Sequence, residues 1–286
     1  TVPNVDRDTS MNLSVKVLNT CNNTEKFGTS RLFVYDWRPN NNPSNWTYEQ
    51  IEIMAAMAVQ ESLWYLHRNL RGWSGRDNTS MYAYPGYSNA TGVTLWIFTI
   101  NGHLPAYPPG TINPRGFNLP EGWEEQNNRR WNTDPYAESA LRLMNYMVRS
   151  TALPGIANGN NQNSESNEES RHCGYNANRQ AITCNRVPGT VNNRGAYMRS
   201  SNVYLTGMET GAMATVLPAF AGTPVQHGNA AGQSFEWLIQ EQVDYLGYQM
   251  FDGGCAKGGY LYGASHGDGS CSHMDLSTTQ WAYIGL

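Results

Sequence analysis

Between residues 255 and 275 the chain gathers its densest group of side chains able to do chemistry: Cys255, His266, Asp268, Cys271, His273 and Asp275. Imidazole, thiolate and carboxylate can together hold zinc, with His266, Asp268 and His273 as candidate ligands, but the spacing matches no standard zinc pattern. A plainer assignment covers the same residues. Cys255 bridges Cys271, Asp275 caps a following helix through its carboxylate, and the histidines occupy a Gly-rich turn. No metal and no other cofactor is expected.

Two single residues stand out elsewhere. His103 directly follows Asn101-Gly102, a helix-stopping pair, so it can project from a helix end as a general base. No carboxylate or nucleophile stands beside it in sequence, which favours a structural role. Glu209 lies among small, mainly apolar residues, where a carboxyl buried without a partner would have a raised pKa and serve as an acid or a ligand contact. Pairing with an arginine from the Arg194 to Arg199 region is the alternative. The loops add Tyr82, Tyr84, Tyr87, Trp123, Trp131 and Tyr175 among many Asn and Arg residues. Aromatic faces stack on sugar rings while amides and guanidinium groups bond hydroxyls, so these residues suit a carbohydrate cleft. They suit a protein interface equally, and both partners, protein (self-assembly included) or glycan, stay open.

Composition bounds the setting. With 286 residues and 40% hydrophobic content the chain can build a real core. A net charge of −4 and the lack of a Lys/Arg cluster interleaved with aromatics exclude nucleic acid as the expected partner. No segment approaches the roughly 18 to 20 apolar residues of a membrane span; the longest run is Ile53 to Val59. The cysteines fall into two local pairs, Cys173 with Cys184 and Cys255 with Cys271, which read as loop staples formed in an oxidising compartment. Cys21 is left to pair outside this sequence, to pair with another chain, or to stay a buried thiol. A start at Thr1 rather than Met fits a removed signal peptide. The expected location is extracytoplasmic, secreted or periplasmic. Sequons at Asn12, Asn22, Asn45, Asn78 and Asn89 matter only in a source that glycosylates.

The elements that must position these residues are helices. Residues 1–46 read as an extended arm, with alternation at Leu13, Val15 and Val17 allowing a short strand. Thr47 and Gln50 have capping-box spacing, and Val59, Leu63, Leu66 and Leu70 follow at helical intervals, predicting a helix over 48–70. A second helix covers Gly92 to Ile100, although so short a β-branched run also suits a strand. Residues 103–133 form a long surface excursion. Asp134 and Pro135 open a third helix with Ala137, Leu141, Met144 and Val148 on one face. A second excursion spans 155–200. A helix from Ser201 stops or kinks before Pro218, another follows Ser234 with Phe235, Ile239, Val243, Leu246 and Met250 in a stripe, and a last one begins near Asp275. That helix is still apolar at Leu286, so the fold is expected to continue beyond the given chain.

Three copies of one plan result, over 47–103, 134–220 and 234–286: an amphipathic helix, a loop, then a helix of smaller residues. Gly258-Gly259-Tyr260-Leu261-Tyr262, a loop, then Asp275-Leu276-Ser277-Thr278-Thr279-Gln280-Trp281-Ala282 resembles the repeat motif of the prenyltransferase and squalene-cyclase superfamily. Gly92 to Phe98 with Asn101-Gly102-His103 is similar to an inner helix of that superfamily, and Asp134 to Met147 to an outer one. The resemblance implies an all-α fold, an α/α toroid or an arc of one. It does not carry the superfamily's reactions across. The Asp-x-Asp-Asp acid motif is missing, Asp252 and Cys255 only loosely match a prenyltransferase zinc site, and the thioester motif is absent. The expected function is a noncatalytic extracytoplasmic module that binds or assembles through its long loops. The alternative is an enzyme, a polysaccharide lyase or hydrolase or a terpenoid-type cyclase, using the toroid cavity with His103 and Glu209.

Overall fold

The computed structural model describes residues 9–19, 24–34, 46–72, 81–83, 88–111, 117–156, 170–175, 181–185, 194–198, 201–263, 267–269 and 274–286. Within them the protein is mostly helical. The helices are α1 (Tyr48–Arg68), α2 (Ser88–Ile100), α3 (Trp123–Thr133), α4 (Ala137–Arg149), α5 (Val203–Ala214), α6 (Leu217–Phe220), α7 (Phe235–Gln249) and α8 (Leu276–Gly285). None among the described residues is long and apolar enough to cross a membrane.

The starts of these helices follow from local chemistry. At α1 the Thr47 hydroxyl accepts from the Gln50 N–H while the Gln50 side chain accepts from the Thr47 N–H, the reciprocal box that the spacing predicts. Asn202, Ser234 and Asp275 cap α5, α7 and α8, each accepting a backbone N–H of the first turn. α4 begins two residues later than the Asp134-Pro135 signal placed it. The Asp134 carboxylate still accepts the Tyr136 N–H at 2.8 Å and so closes the turn that leads in. Pro218 falls within the first turn of α6, where a missing N–H is harmless, so the chain bends there and resumes.

Helices α2, α5 and α8 lie side by side. Gly92, Trp96 and Thr99 of α2 meet Glu209, Gly211 and Thr215 of α5 in the same order, so the two run parallel. Gly207 of α5 in turn packs against the backbone of α8 at Trp281 and Ala282, and Gly211 receives the Trp96 ring and Ile284. Trp96 and Trp281 meet across this glycine seam with ring centroids 6.5 Å apart. Glycine and alanine on α5 let the backbones close in, the use the small-residue composition implies.

The amphipathic helices form a second layer. α4 packs chiefly on α2, and α7 on α5, rather than on the helices that follow them in sequence. This shifts the pairing expected from the repeats by one helix: α4 and α7 each settle against the helix of smaller residues before them. Buried Leu143, Met144 and Met147 on α4, and Phe235 and Leu238 on α7, join Leu95, Phe98, Met213 and Phe220 in one core. α1 touches α2 only lightly.

Strands pair two by two. β1 (Thr9–Asn19) and β2 (Thr24–Val34) form an antiparallel hairpin in register from Thr9 opposite Val34 to Asn19 opposite Thr24, so the arm holds two long strands rather than one short one. β3 (Leu70–Gly72) pairs β4 (Met81–Ala83), and β5 (Thr151–Ala152) pairs β8 (Tyr197–Met198). β6 (Ser170–Tyr175) pairs β7 (Ala181–Asn185), and β9 (Phe251–Gly254) runs parallel to β10 (Gly267–Gly269). In the β6–β7 ladder Cys184 stands opposite Arg171, and Cys173 falls at the irregularity between His172 and Gly174. The excursion expected over 103–133 also contains a helix, α3. Its sequence is almost wholly polar, and only Trp123 and Asn127 of it are buried, so no apolar stripe marks it.

Candidate functional site

One face of α4 presents Glu138, Leu141, Arg142 and Asn145, spaced i, i+3, i+4 and i+7. Tyr107, Pro108 and Thr111 approach it from the segment before α3, Trp131 from the end of α3, and Gln226 and His227 from the turn after α6. Together they enclose a cavity of about 410 Å³.

Each wall is pinned by its own sequence. Asn127, fully buried on α3, accepts the Tyr107 N–H and donates to the Tyr107 carbonyl, both at 2.8 Å. A side-chain amide thus takes the place of a strand partner and satisfies two buried backbone groups. The Tyr107 ring lies edge-on to Phe220 at 5.4 Å. Its hydroxyl is buried without a hydrogen-bond partner, and burial pushes the phenol far above the ordinary tyrosine range. On the opposite side Gly228 adopts φ 73°, and a Cβ there would collide with the Val148 carbonyl. Glycine is required by both the angle and the contact. Asn229 donates to the Thr151 carbonyl at 2.9 Å, fixing the turn to the end of α4. His227 is thereby held with Nδ1 3.1 Å from the Arg149 guanidinium.

The chemistry on offer is mixed. Glu138 and Arg142 form an i,i+4 ion pair, about one-third exposed at each side chain, which sets a double acceptor beside a planar donor fork. Asn145 and Gln226 add amides, His227 an imidazole, and Trp131 an aromatic surface. Among the described residues that line it, Glu138 is the one carboxylate.

Of the described residues singled out by sequence, only Trp131 lines this cavity. Trp123 is a correction: it is 5% exposed, donates its indole N–H to the Ala219 carbonyl at 2.7 Å and packs on Phe220, so it anchors α3 in the core instead of offering a binding face. His103 gains the carboxylate that its sequence neighbours lack. Its Nδ1 lies 3.1 and 3.2 Å from the two oxygens of Asp134, and its ring stands edge-on to Tyr136 at 4.7 Å. The pair clamps the end of α2 to the start of α4, away from the cavity. Glu209 is fully buried where α5 meets Gly92 of α2 and is not a cavity residue either.

The remaining candidates fall where less is described. Tyr82 lies in β4 opposite Arg71, Tyr175 ends β6 opposite Ala181, and Asp268 lies in β10. Tyr84, Cys21, His266, Cys271 and His273 lie outside the described residues. Among the described residues no group of three His, Cys, Asp or Glu side chains is placed to hold a metal ion. Cys255 is held in a disulfide. Asp275 caps α8 as its position implies, with Ser277 and the Thr278 N–H holding its carboxyl below the usual range.

Sequence reasoning missed Glu138, Arg142 and Asn145 because a polar face opposite an apolar stripe is read as solvated. The signal was there in their helical spacing, but the excursion that covers them left no pattern of its own. No protein-family model, curated protein or solved structure matches this chain.

Proposed function

We propose that this chain is a repeat domain of α/α-toroid type, an arc of stacked helical layers working outside the cytoplasm, and that it binds a saccharide without transforming it. The observation carrying this reading is the cavity on α4, where Trp131 and Tyr107 stand with Asn145, Gln226 and the Glu138–Arg142 pair. A sugar presents apolar C–H faces and a rim of hydroxyls that both donate and accept, and this wall supplies the complement of each. The parallel row of α2, α5 and α8 with an outer layer behind it supports the toroid reading, as does the repeat motif around Tyr260 and Trp281. Stapling of Cys173 to Cys184 and of Cys255 to Cys271 belongs to the same proposal. Glycoside hydrolysis in its usual form uses two carboxyl groups flanking the bond. Among the described lining residues Glu138 is paired with Arg142.

The test is a titration of intrinsic fluorescence with neutral and uronate oligosaccharides, with Trp131→Ala and Asn145→Ala alongside. Saturable binding by the native protein and at least about tenfold weaker binding by both variants are expected. Lack of binding across the panel, or unchanged affinity in Trp131→Ala, would refute the reading.

A second reading keeps the cavity and makes the protein an enzyme on acidic polysaccharide. The observation in its favour is His227 beside the Arg149 guanidinium, near Arg142: a base next to cations can take a proton from carbon adjacent to a carboxylate. Release of unsaturated sugar by the native protein, lost in His227→Ala, would select it. The charged and amide walls argue against a terpenoid substrate.

A further inference from the structure

The two walls of the α4 cavity are held with very different firmness. α4 buries ten of its thirteen residues, whereas α3 buries only Trp123 and Asn127 of its eleven, although β2 and α4 both touch it. No side chain caps the first turn of α3, and Gly122 before it sits at φ 72°. Two side chains fasten it to distant backbone. The Trp123 indole N–H meets the Ala219 carbonyl, with its ring edge-on to Phe220, and the Asn127 amide holds both backbone groups of Tyr107. A helix with so little buried surface opens at a lower free energy than the core it leans on, because few apolar contacts are lost when it does.

That difference falls across the cavity. Trp131, and Tyr107 through Asn127, stand on the α3 side, while Glu138, Leu141, Arg142 and Asn145 stand on α4. A molecule lodged between them touches both walls, so it binds the docked α3 in preference to the open one and by mass action holds α3 down. We infer that α3 is a strap over the cavity: it unlatches at Trp123 and Asn127 while α4 and α7 stay folded, admits the ligand and closes on it, so that its opening sets the rate of release. The inference rests on the saccharide reading for the identity of the ligand; the unequal hold on the two walls does not. Trp123 is absent from the described lining of the cavity, so it acts by positioning α3.

The experiment is hydrogen exchange on the whole chain, alone and saturated with whichever of cellotetraose, chitotetraose and tetragalacturonate binds, together with stopped-flow release of that sugar from the native protein and from Trp123→Phe. Without sugar, the amides of α3 are expected to exchange at least about tenfold faster than those of α4 and α7. With sugar they slow at least about tenfold while α7 changes little. Trp123→Phe, shown by circular dichroism to keep its helices, retains a ring on Phe220 but loses the latch to Ala219, and it releases the sugar about fivefold faster or more. Exchange of α3 that matches α4 and α7 in the unliganded protein overturns the strap, as does release from a folded Trp123→Phe protein at the native rate. Binding that leaves the α3 amides unprotected overturns the strap and keeps the saccharide reading. Binding of none of the three sugars overturns both.

Discussion

Gly207 of α5 lies so close to the Trp281 carbonyl of α8 that a methyl group at residue 207 would occupy space already filled by peptide backbone. Neither side of that contact is a flexible side chain, so the helices themselves would have to part. Gly207→Ala is therefore expected to destabilise the fold by about 1–3 kcal/mol, in the range for overpacking a tight core. Urea denaturation checks it: the midpoint falls with little change in slope, and the Trp96–Trp281 contact loosens. An unchanged midpoint would mean that α5 and α8 are not held this closely.

Trp123 stabilises through its indole N–H as well as its bulk. Trp123→Phe keeps most of the buried area on Phe220 but leaves the Ala219 carbonyl without this donor. The expected loss is about 1–3 kcal/mol, the range for a buried polar group deprived of its partner. Thermal unfolding with a matched Trp131→Phe control separates the effects, since Trp131 is only partly buried.

How far the sequence reaches can be seen at these same residues. Thr47, Ser234 and Asp275 are side-chain caps whose effect is felt within one turn, so local sequence alone is enough to place these helix starts. The short run Gly92 to Ile100, ambiguous by pattern, is a helix because Leu95 and Phe98 are buried against the neighbouring layer, which no local signal encodes. α3 stayed hidden because its stability comes from two side chains, Trp123 and Asn127, reaching distant backbone. The candidate site stayed hidden for the same reason. Tyr107, Glu138 and His227 are far apart in the chain and meet only after α3 and the Gly228 turn are in place. His103 found Asp134 in the same way, through a contact that joins the ends of two helices.

Acid should loosen the end of the molecule at α8. Asp275 accepts from Ser277 and from the Thr278 N–H, and these bonds hold its carboxyl below the ordinary range. A depressed folded-state pKa means that the contribution is present above the unfolded value and disappears as pH falls through the folded one. Hydrogen exchange of the first α8 amides is thus expected to quicken relative to α7 as the solution is made more acidic. Asp275→Asn, which keeps an acceptor oxygen without the charge, should remove most of that pH dependence. Equal behaviour of α7 and α8 in acid would show that the cap does not hold the helix.

Alkaline titration tests whether Tyr107 sits as deeply as its surroundings imply. Burial raises its pKa far above that of a free phenol, so the folded state resists ionising it, and stability falls as pH climbs beyond the unfolded value of about 10. Ultraviolet absorbance should show a tyrosine that ionises only as the protein unfolds in base. Tyr107→Phe is expected to shrink that late transition by one tyrosine, leaving the part due to Tyr245, whose pKa burial also raises. A Tyr107 that titrates with the exposed tyrosines would place it on an open surface.

Asn127 joins the fold to the cavity, and its removal should affect both in a way that separates them from general damage. In Asn127→Ala two buried backbone groups of Tyr107 lose their partner at once. At about 1–3 kcal/mol for each unsatisfied group, the loss is expected to reach about 2–6 kcal/mol. Asn127→Asp retains an oxygen able to accept the Tyr107 N–H but loses the donor to its carbonyl, and it places a charge where none is solvated, so it should be no milder than alanine. Saccharide binding, measured at a temperature where the alanine variant stays folded, should weaken at least about tenfold because Tyr107 and Thr111 are no longer fixed against α4. Thermal melts and ligand titrations on the same samples distinguish the outcomes. Full binding by a folded Asn127→Ala protein would mean that the segment before α3 does not form a wall of the site, and the cavity on α4 would lose its claim to be the functional one.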